Sequence, residues 1–343
     1  MREVLGANLQ LRGSKEERVV VTVHLAGREI TLLIYRPNDA HIFLERLKSS
    51  ARVTVMAGEL GAWAEKIEGV VAWHIPDQIL ERLNNLKWIQ TTTSGADHLH
   101  AYLRNKGRDV MISTVKGMNA STVAEYVMLS ILAHKWDIRG IYKKQAQRMW
   151  RTQETSFSGH CTGVVVGLGE VGARVATLMK ALGMYVVGVS RTGSSSVLVD
   201  EMVGSEGLDS ALPRADFLIL TVPLTAQTRG LIGPEELSMM SSSAYLINVS
   251  RGEVVDEQAL VHALETKVIA GATLDVTQVE PCPPDSALWH TRNLTLSAHI
   301  AGQRSDYSQA AADIWVSNVH RYAVGQLPVP VFTATDSNTV EKI

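Results

Sequence analysis

The stretch Val164-Val165-Val166-Gly167-Leu168-Gly169-Glu170-Val171-Gly172 runs into a helical pattern and then into Tyr185-Val186-Val187-Gly188-Val189-Ser190-Arg191. This is an apolar strand, a glycine-rich turn, a helix and a second apolar strand, in register. Each glycine has its own task in such a unit. Gly167 permits the tight turn, Gly169 lets the backbone approach a pyrophosphate, and Gly172 lets the helix pack closely on the strand. Free N–H groups at the helix start, where Glu170 and Val171 sit, favour the phosphates. The chain is therefore expected to hold a dinucleotide on a parallel α/β sheet.

The end of the second strand bears on which dinucleotide. An NAD site places an Asp or Glu there, about 20 residues past the glycines, to bond the ribose 2′-hydroxyl. This chain has Ser190-Arg191-Thr192 instead, and its next acids are Asp200 and Glu201. No carboxylate repels a 2′-phosphate, and the forked guanidinium of Arg191 suits phosphate oxygens. The expected cofactor is NADP(H) in preference to NAD(H), with NAD(H) possible.

A chain of 343 residues is long enough for two domains. A net charge of −2 without a basic block gives no basis for binding nucleic acid or an anionic membrane. The apolar runs are of strand length, too short to cross a bilayer. The amino-terminal residues lack the apolar core of a signal peptide. Cys161 and Cys282 form no metal-ligand spacing and no disulfide framework, so no metal is expected. A cytoplasmic location fits these features.

The first part of the chain alternates candidate strands (residues 19–25, 31–35, 53–57, 69–73, 88–91 and 110–113) with helical patterns at 42–48 and 78–83. This reads as a parallel α/β sheet without a glycine fingerprint of its own. A long helix is expected over 121–135, capped by Ser121 or Thr122. Further strands are expected at 217–221, 244–249, 269–274 and 294–297, with helices at 257–264 and 305–322. The organisation expected is residues 1–118 as the first part of a substrate domain and 119–302 as an inserted coenzyme-binding domain. Residues 303–343 form a return helix and a polar tail, loose beyond Pro328.

Three polar residues follow strands of the coenzyme-binding part. Arg251 follows Ile247-Asn248-Val249-Ser250, Glu280 follows the Leu274-Asp275-Val276 strand end, and His299 follows Leu296-Ser297-Ala298. Open α/β sheets bind ligands at the carboxyl ends of their strands. A guanidinium there grips a carboxylate bidentately. An imidazole gives a proton to a carbonyl oxygen as hydride arrives, and a carboxylate on its other nitrogen fixes the tautomer and stabilises the imidazolium. Any one of these residues alone is more often a capping, loop or structural residue; together they suit reduction of a 2-oxo acid. Asp275 is a further carboxylate at a strand end, placed either to bond the nicotinamide amide or to cap a turn.

The strings Gly167–Gly172, Val222-Pro223-Leu224-Thr225-Ala226-Gln227-Thr228-Arg229-Gly230, Asn248-Val249-Ser250-Arg251-Gly252, Leu274-Asp275-Val276 with Glu280-Pro281, and His299-Ile300-Ala301-Gly302 resemble the D-isomer-specific 2-hydroxyacid dehydrogenases. The resemblance runs over roughly residues 87–325. It implies a Rossmann domain inserted into a flavodoxin-like substrate domain, catalytic roles for Arg251, Glu280 and His299, and a homodimer built around the long helix from Ser121. It also implies that Val222, Pro223, Val249, Ser250 and Asp275 line the cofactor. Within the family, Trp73-His74-Ile75-Pro76, Ser190-Arg191-Thr192 and Met149-Trp150 are similar to the NADPH-using glyoxylate/hydroxypyruvate reductases. There the turn at Trp73 and His74 and the loop with Ser94 and Gly95 would contact substrate, and Ser94 would also approach the cofactor. The chain departs from the family's usual Pro at Ala298 and matches it poorly over the first sixty residues. Two other readings are a non-catalytic dinucleotide sensor on the same fold and a formate-type dehydrogenase. Glu280, where the latter typically has Gln, disfavours the formate reading.

Overall fold

The computed structural model describes residues 18–57, 59–96, 99, 102–103, 106–191, 193 and 197–332. Thr192 and the tail from 333 lie outside them, as do residues 1–17. The chain forms two compact units. One comprises the described residues up to Lys116 together with Asp306–Phe332, the other Gly117–Ser305.

In the first unit, β1 (Arg18–Leu25) and β2 (Arg28–Tyr35) form a hairpin. It is joined by Ala26 and Gly27, both at positive φ (53° and 75°), the conformation of a type I′ turn. β3 (Arg52–Val55), β4 (Ile67–Ala72), β5 (Trp88–Thr91) and β6 (Met111–Ser113) complete a sheet in the order β3-β1-β2-β4-β5-β6. β2, β4, β5 and β6 run parallel, whereas β1 is antiparallel to both β2 and β3. The sheet is thus mixed and not the parallel one expected. A two-residue turn cannot make a crossover, so β1 and β2 had to pair antiparallel. Setting β1 aside, the order is that of a flavodoxin-like sheet, with β1 inserted beside its first strand.

The helix Tyr307–Ala323 belongs to this unit. Its Trp315 packs on Phe43 of the helix Ala40–Lys48, with ring centroids 5.8 Å apart. Buried Asn318 donates to Gln90 Oε1 and to Val329 O, both at 2.8 Å. The segment expected to be loose beyond Pro328 is ordered as far as Phe332. Val331 bridges Ser113, and Phe332 N donates to Ile112 O. The backbone N–H and C=O groups of β6 at the sheet edge account for this docking.

The second unit is a seven-stranded sheet of β7 (Thr162–Val166), β8 (Tyr185–Val189), β9 (Glu201–Val203), β10 (Phe217–Leu220), β11 (Tyr245–Asn248), β12 (Gly271–Leu274) and β13 (Leu294–Leu296). Its order is β13-β12-β11-β10-β7-β8-β9, and all its pairs are parallel. This is the Rossmann order carried one strand further.

Side chains alternate between its two faces. Val164, Val166, Leu218, Leu220 and Leu246 enter one core, while Val165, Ile219 and Ile247 enter another. Helices cover the second face through Val175, Ala176 and Met179 of Glu170–Ala181 and through Ala124, Val127 and Ile131 of Ala120–Lys135. The latter helix starts after Asn119, without a side-chain cap from Ser121 or Thr122. No helix of the described residues is long and apolar enough to cross a membrane.

Candidate active site

The glycine turn lies between β7 and β10, where the strand order reverses. Gly167 has φ +93°, which a side chain rarely adopts, and Thr221 Oγ1 donates to its carbonyl at 2.6 Å. A Cβ on Gly172 would strike Gly167 O, so the helix packs on the turn as tightly as glycine allows. A Cβ on Gly169, by contrast, would meet nothing within 4 Å. That open space lies at the start of Glu170–Ala181, a 12-residue helix with its free N–H groups. Val222 abuts Gly167, and Glu170 lies beside Gly117. This donor set fits a dinucleotide pyrophosphate.

At the carboxyl end of β8, Arg191 is exposed, and Ser190 N donates to Val203 O at 3.1 Å. Asp200 and Glu201 are committed at the opposite end of the sheet. Asp200 pairs with Lys180 and accepts from Val186 N at 2.8 Å, which holds its carboxyl below the usual range. Glu201 takes both terminal nitrogens of Arg214, at 2.8 and 2.9 Å. Neither acid serves the strand end where a ribose 2′-hydroxyl would lie.

The loop after β11 is pinned by Asn248, a residue sequence reasoning missed as a site element. Its Oδ1 accepts from Ser250 N (3.0 Å) and Ser250 Oγ (2.7 Å), and its Nδ2 donates to Arg251 O (2.9 Å). The motif Asn248-Val249-Ser250-Arg251 held the signal, an amide placed where two turn residues follow. Val249 is partly exposed and Ser250 buried. Arg251 is exposed and donates from Nη1 to Ser250 O at 2.7 Å. Gly252 allows this turn to lie against Thr277, where a Cβ would collide with the Thr277 backbone.

Thr277 N in turn donates to Glu280 Oε1 at 3.2 Å, while Glu280 Oε2 lies 2.8 Å from His299 Nδ1. An ionised carboxylate only accepts, so the proton on Nδ1 faces Glu280 and Nε2 is left to exchange a proton. The pair is half-exposed, with side-chain accessibilities of 50% for His299 and 40% for Glu280.

Asp275 is buried, and its carboxylate accepts from Ser297 Oγ (2.7 Å), Ile300 N (2.8 Å) and Ala301 N (2.9 Å), while its carbonyl takes His299 N (2.8 Å). These bonds cap the turn that follows β13. His299 itself sits at φ +53°, so its loop is held in a left-handed bend. Pro223, after β10, is exposed.

The remaining expected residues belong to the first unit. Trp73 and His74 follow β4; Ser94 and Gly95 follow β5. Trp73 is 58% exposed, with its ring 6.0 Å from Tyr307. Beneath it lies Arg36, which sequence reasoning passed over. Arg36 is buried, bonded to Asp39 (2.7 Å from Nε) and to Thr92 Oγ1 (2.6 Å), and packed on the Phe43 and Trp73 rings. Ser94 is exposed, and Thr93 Oγ1 bonds Gly95 O at 2.6 Å. A small cavity at these strand ends is lined by Trp73, His74, Ile75, Ile89, Leu99 and Tyr102. Among the described residues, no group of three His, Cys, Asp or Glu could hold a metal ion.

Residues 128–301 match the family model for the D-isomer specific 2-hydroxyacid dehydrogenase, NAD binding domain. The chain is 32% identical over 263 residues to a glyoxylate reductase of Thermofilum pendens, covering 74% of this chain and 77% of that protein. It is 30% identical over 305 residues to glyoxylate/hydroxypyruvate reductase B of Yersinia pestis, covering 83% and 92%. Among solved structures it resembles a D-isomer specific 2-hydroxyacid dehydrogenase from Xanthobacter autotrophicus Py2 in complex with NADPH and MES, at TM-score 0.76 and 29% identity, covering 89% and 98%. The chain belongs to the D-isomer-specific 2-hydroxyacid dehydrogenases, oxidoreductases that act on CH–OH groups with a nicotinamide dinucleotide.

Proposed function

We propose that this enzyme reduces small 2-oxo acids of the glyoxylate or hydroxypyruvate kind to D-2-hydroxy acids, with NADPH as the preferred donor. When bound, the reduced nicotinamide supplies the hydride that adds to C2 of the oxo acid. Arg251 anchors the substrate carboxylate through two parallel N–H donors, giving up its bond to Ser250 O. His299 delivers the proton from Nε2 to the carbonyl oxygen, and Glu280 balances the positive charge on the ring before that transfer. Backbone N–H groups at Trp73 and His74 and the Ser94-Gly95 loop supply further substrate contacts in this reading. The 2.8 Å contact between His299 and Glu280 carries the proposal, since it sets which nitrogen exchanges the proton.

The preference for NADPH rests on Arg191 and Ser190 at the end of β8 and on the engagement of Asp200 and Glu201 elsewhere. The solved NADPH complex supports the same reading, and the relatives named as a glyoxylate reductase and a glyoxylate/hydroxypyruvate reductase support the substrate class. We further propose a homodimer. Leu129, Trp136, Tyr142 and Trp150, on and after the long helix, are exposed large apolar residues of the second unit. Exposed apolar side chains of this size are available to pack against a second copy. Both cysteines are free, which fits the reducing cytosol.

The test is a panel of 2-oxo acids with NADPH and with NADH, followed by loss of the reduced-cofactor absorbance. Turnover of glyoxylate or hydroxypyruvate with NADPH is expected. His299→Ala should abolish it, and Arg251→Ala should mainly raise KM for the oxo acid. A protein that binds NADPH but turns over no 2-oxo acid overturns the reading.

A further inference from the structure

We propose that Tyr126 is a positioning residue for proton transfer: through Ser297 and Asp275, its hydroxyl fixes the loop that aims His299 at Glu280. The inference rests on the reduction reading above.

Tyr126 projects from the helix Ala120–Lys135, and its hydroxyl lies 2.5 Å from Ser297 Oγ. Ser297 Oγ donates its single proton to Asp275 Oδ1 at 2.7 Å. A hydroxyl has one proton to give, so Tyr126 is the donor in its own bond to Ser297. Asp275 Oδ1 also takes Ile300 N, and Oδ2 takes Ala301 N. The chain Tyr126 → Ser297 → Asp275 therefore ends on the two backbone N–H groups directly after His299. Hydrogen bonds in such a chain polarise one another, so removal of the first donor is felt at the last acceptor. Burial, with the nearby Asp275 charge, raises the Tyr126 phenol above its ordinary range and keeps it a donor.

This loop needs such a hold. His299 is a non-glycine residue at φ +53°, a region that persists where surrounding contacts enforce it. Ala298 before it has no ring to restrict the backbone. The segment leading into this helix is tied to the loop's far side, where Arg304 Nη1 donates to Met118 O at 3.2 Å. Tyr126 touches neither Glu280 nor His299 in any bond observed, so its effect runs through the loop.

The experiment compares Tyr126→Phe, Ser297→Ala and the double variant with the wild-type enzyme. Tyr126→Phe should lower kcat about tenfold, the usual size of one lost buried hydrogen bond. The NADPH dissociation constant, read by fluorescence titration, should stay within about twofold. Ser297→Ala should lower kcat at least as much, and the double variant should be no worse than Ser297→Ala, because both changes cut one chain. The imidazole nitrogen-15 signals of His299, which report the hydrogen bond at Nδ1, should shift in Tyr126→Phe. Wild-type kcat and unshifted His299 signals in Tyr126→Phe overturn the proposal, as does additivity in the double variant. If the wild-type protein turns over no 2-oxo acid, the reduction reading fails instead, and the His299 signals alone decide the positioning role.

Discussion

His299 Nδ1 and Glu280 Oε2 stand 2.8 Å apart, although they come from the ends of different strands. Glu280 is held on its other oxygen by Thr277 N, so the carboxylate is aimed before the imidazole meets it. Glu280→Gln keeps an acceptor for the Nδ1 proton and removes the negative charge. The charge matters only while the ring is protonated, so the loss should fall on the chemical step. We expect kcat to drop by about 10- to 100-fold with little change in NADPH affinity. Steady-state kinetics with a cofactor titration checks this, and wild-type kcat in the variant would contradict the role given to Glu280.

Arg191 stands exposed at the carboxyl end of β8, and the nearest acids in sequence, Asp200 and Glu201, are occupied at the amino end. Arg191→Ala should raise KM for NADPH about tenfold, the loss of a charge-assisted phosphate contact, and leave KM for NADH within about twofold. A variant that loses both cofactors equally would show that Arg191 does not read the 2′-phosphate.

The glycines of the turn make different predictions because their surroundings differ. A Cβ on Gly172 would run into Gly167 O and stand 2.8 Å from Thr221 Oγ1, so the helix would have to move off the sheet. Gly172→Ala should cost about 1–3 kcal/mol and lower Tm by roughly 3–10 °C. Gly169→Ala adds its methyl to open space at an ordinary φ of −74°. Its Tm should stay within about 2 °C while its KM for NADPH rises. Calorimetry beside cofactor titration separates the two, and equal Tm losses would refute the division of labour.

Much of the second unit was legible because its signals are local. The apolar run before Gly167 reads as a buried strand because the glycine turn, the helix and β8 follow it at fixed spacing. Arg251, Glu280 and His299 were chosen by the same logic, each three to six residues beyond the end of a strand. What the sequence hid is long-range. Nothing near Asp275 says that its carboxylate will hold Ser297 and the N–H groups of Ile300 and Ala301, because these residues lie more than twenty positions away. Arg36 reads as a surface charge after a strand, yet Asp39 and Thr92 make its burial possible. The strand β1 was legible at 19–25, but its antiparallel pairing was missed because its hairpin turn is Ala26-Gly27, which lacks the usual Asn-Gly or Asp-Gly pair. Short β9 carries only three residues, too few for a periodic pattern.

His134, on the long helix of the second unit, lies 4.1 Å from the Tyr245 ring and 6.2 Å from Phe217. Burial there pushes its imidazole below the ordinary value of 6.5, against a smaller upward pull from Asp137. The folded chain thus keeps this ring neutral at pH values where the unfolded chain would protonate it. Between the folded value and 6.5 the unfolded state holds more protons, so stability rises with pH. The contribution is fully present above about pH 6.5 and is lost as pH falls through the folded value. His134→Phe keeps an aromatic ring against Tyr245 and removes the titrating group. Relative to the wild-type protein, its Tm should hold level from about pH 7.5 to 6.5 and gain as pH is lowered from there to about 5.5, a range that brackets the ordinary histidine value. Thermal melts of the two proteins across that range measure the difference. A Tm difference that stays constant with pH would mean that His134 does not titrate differently in the folded and unfolded chains.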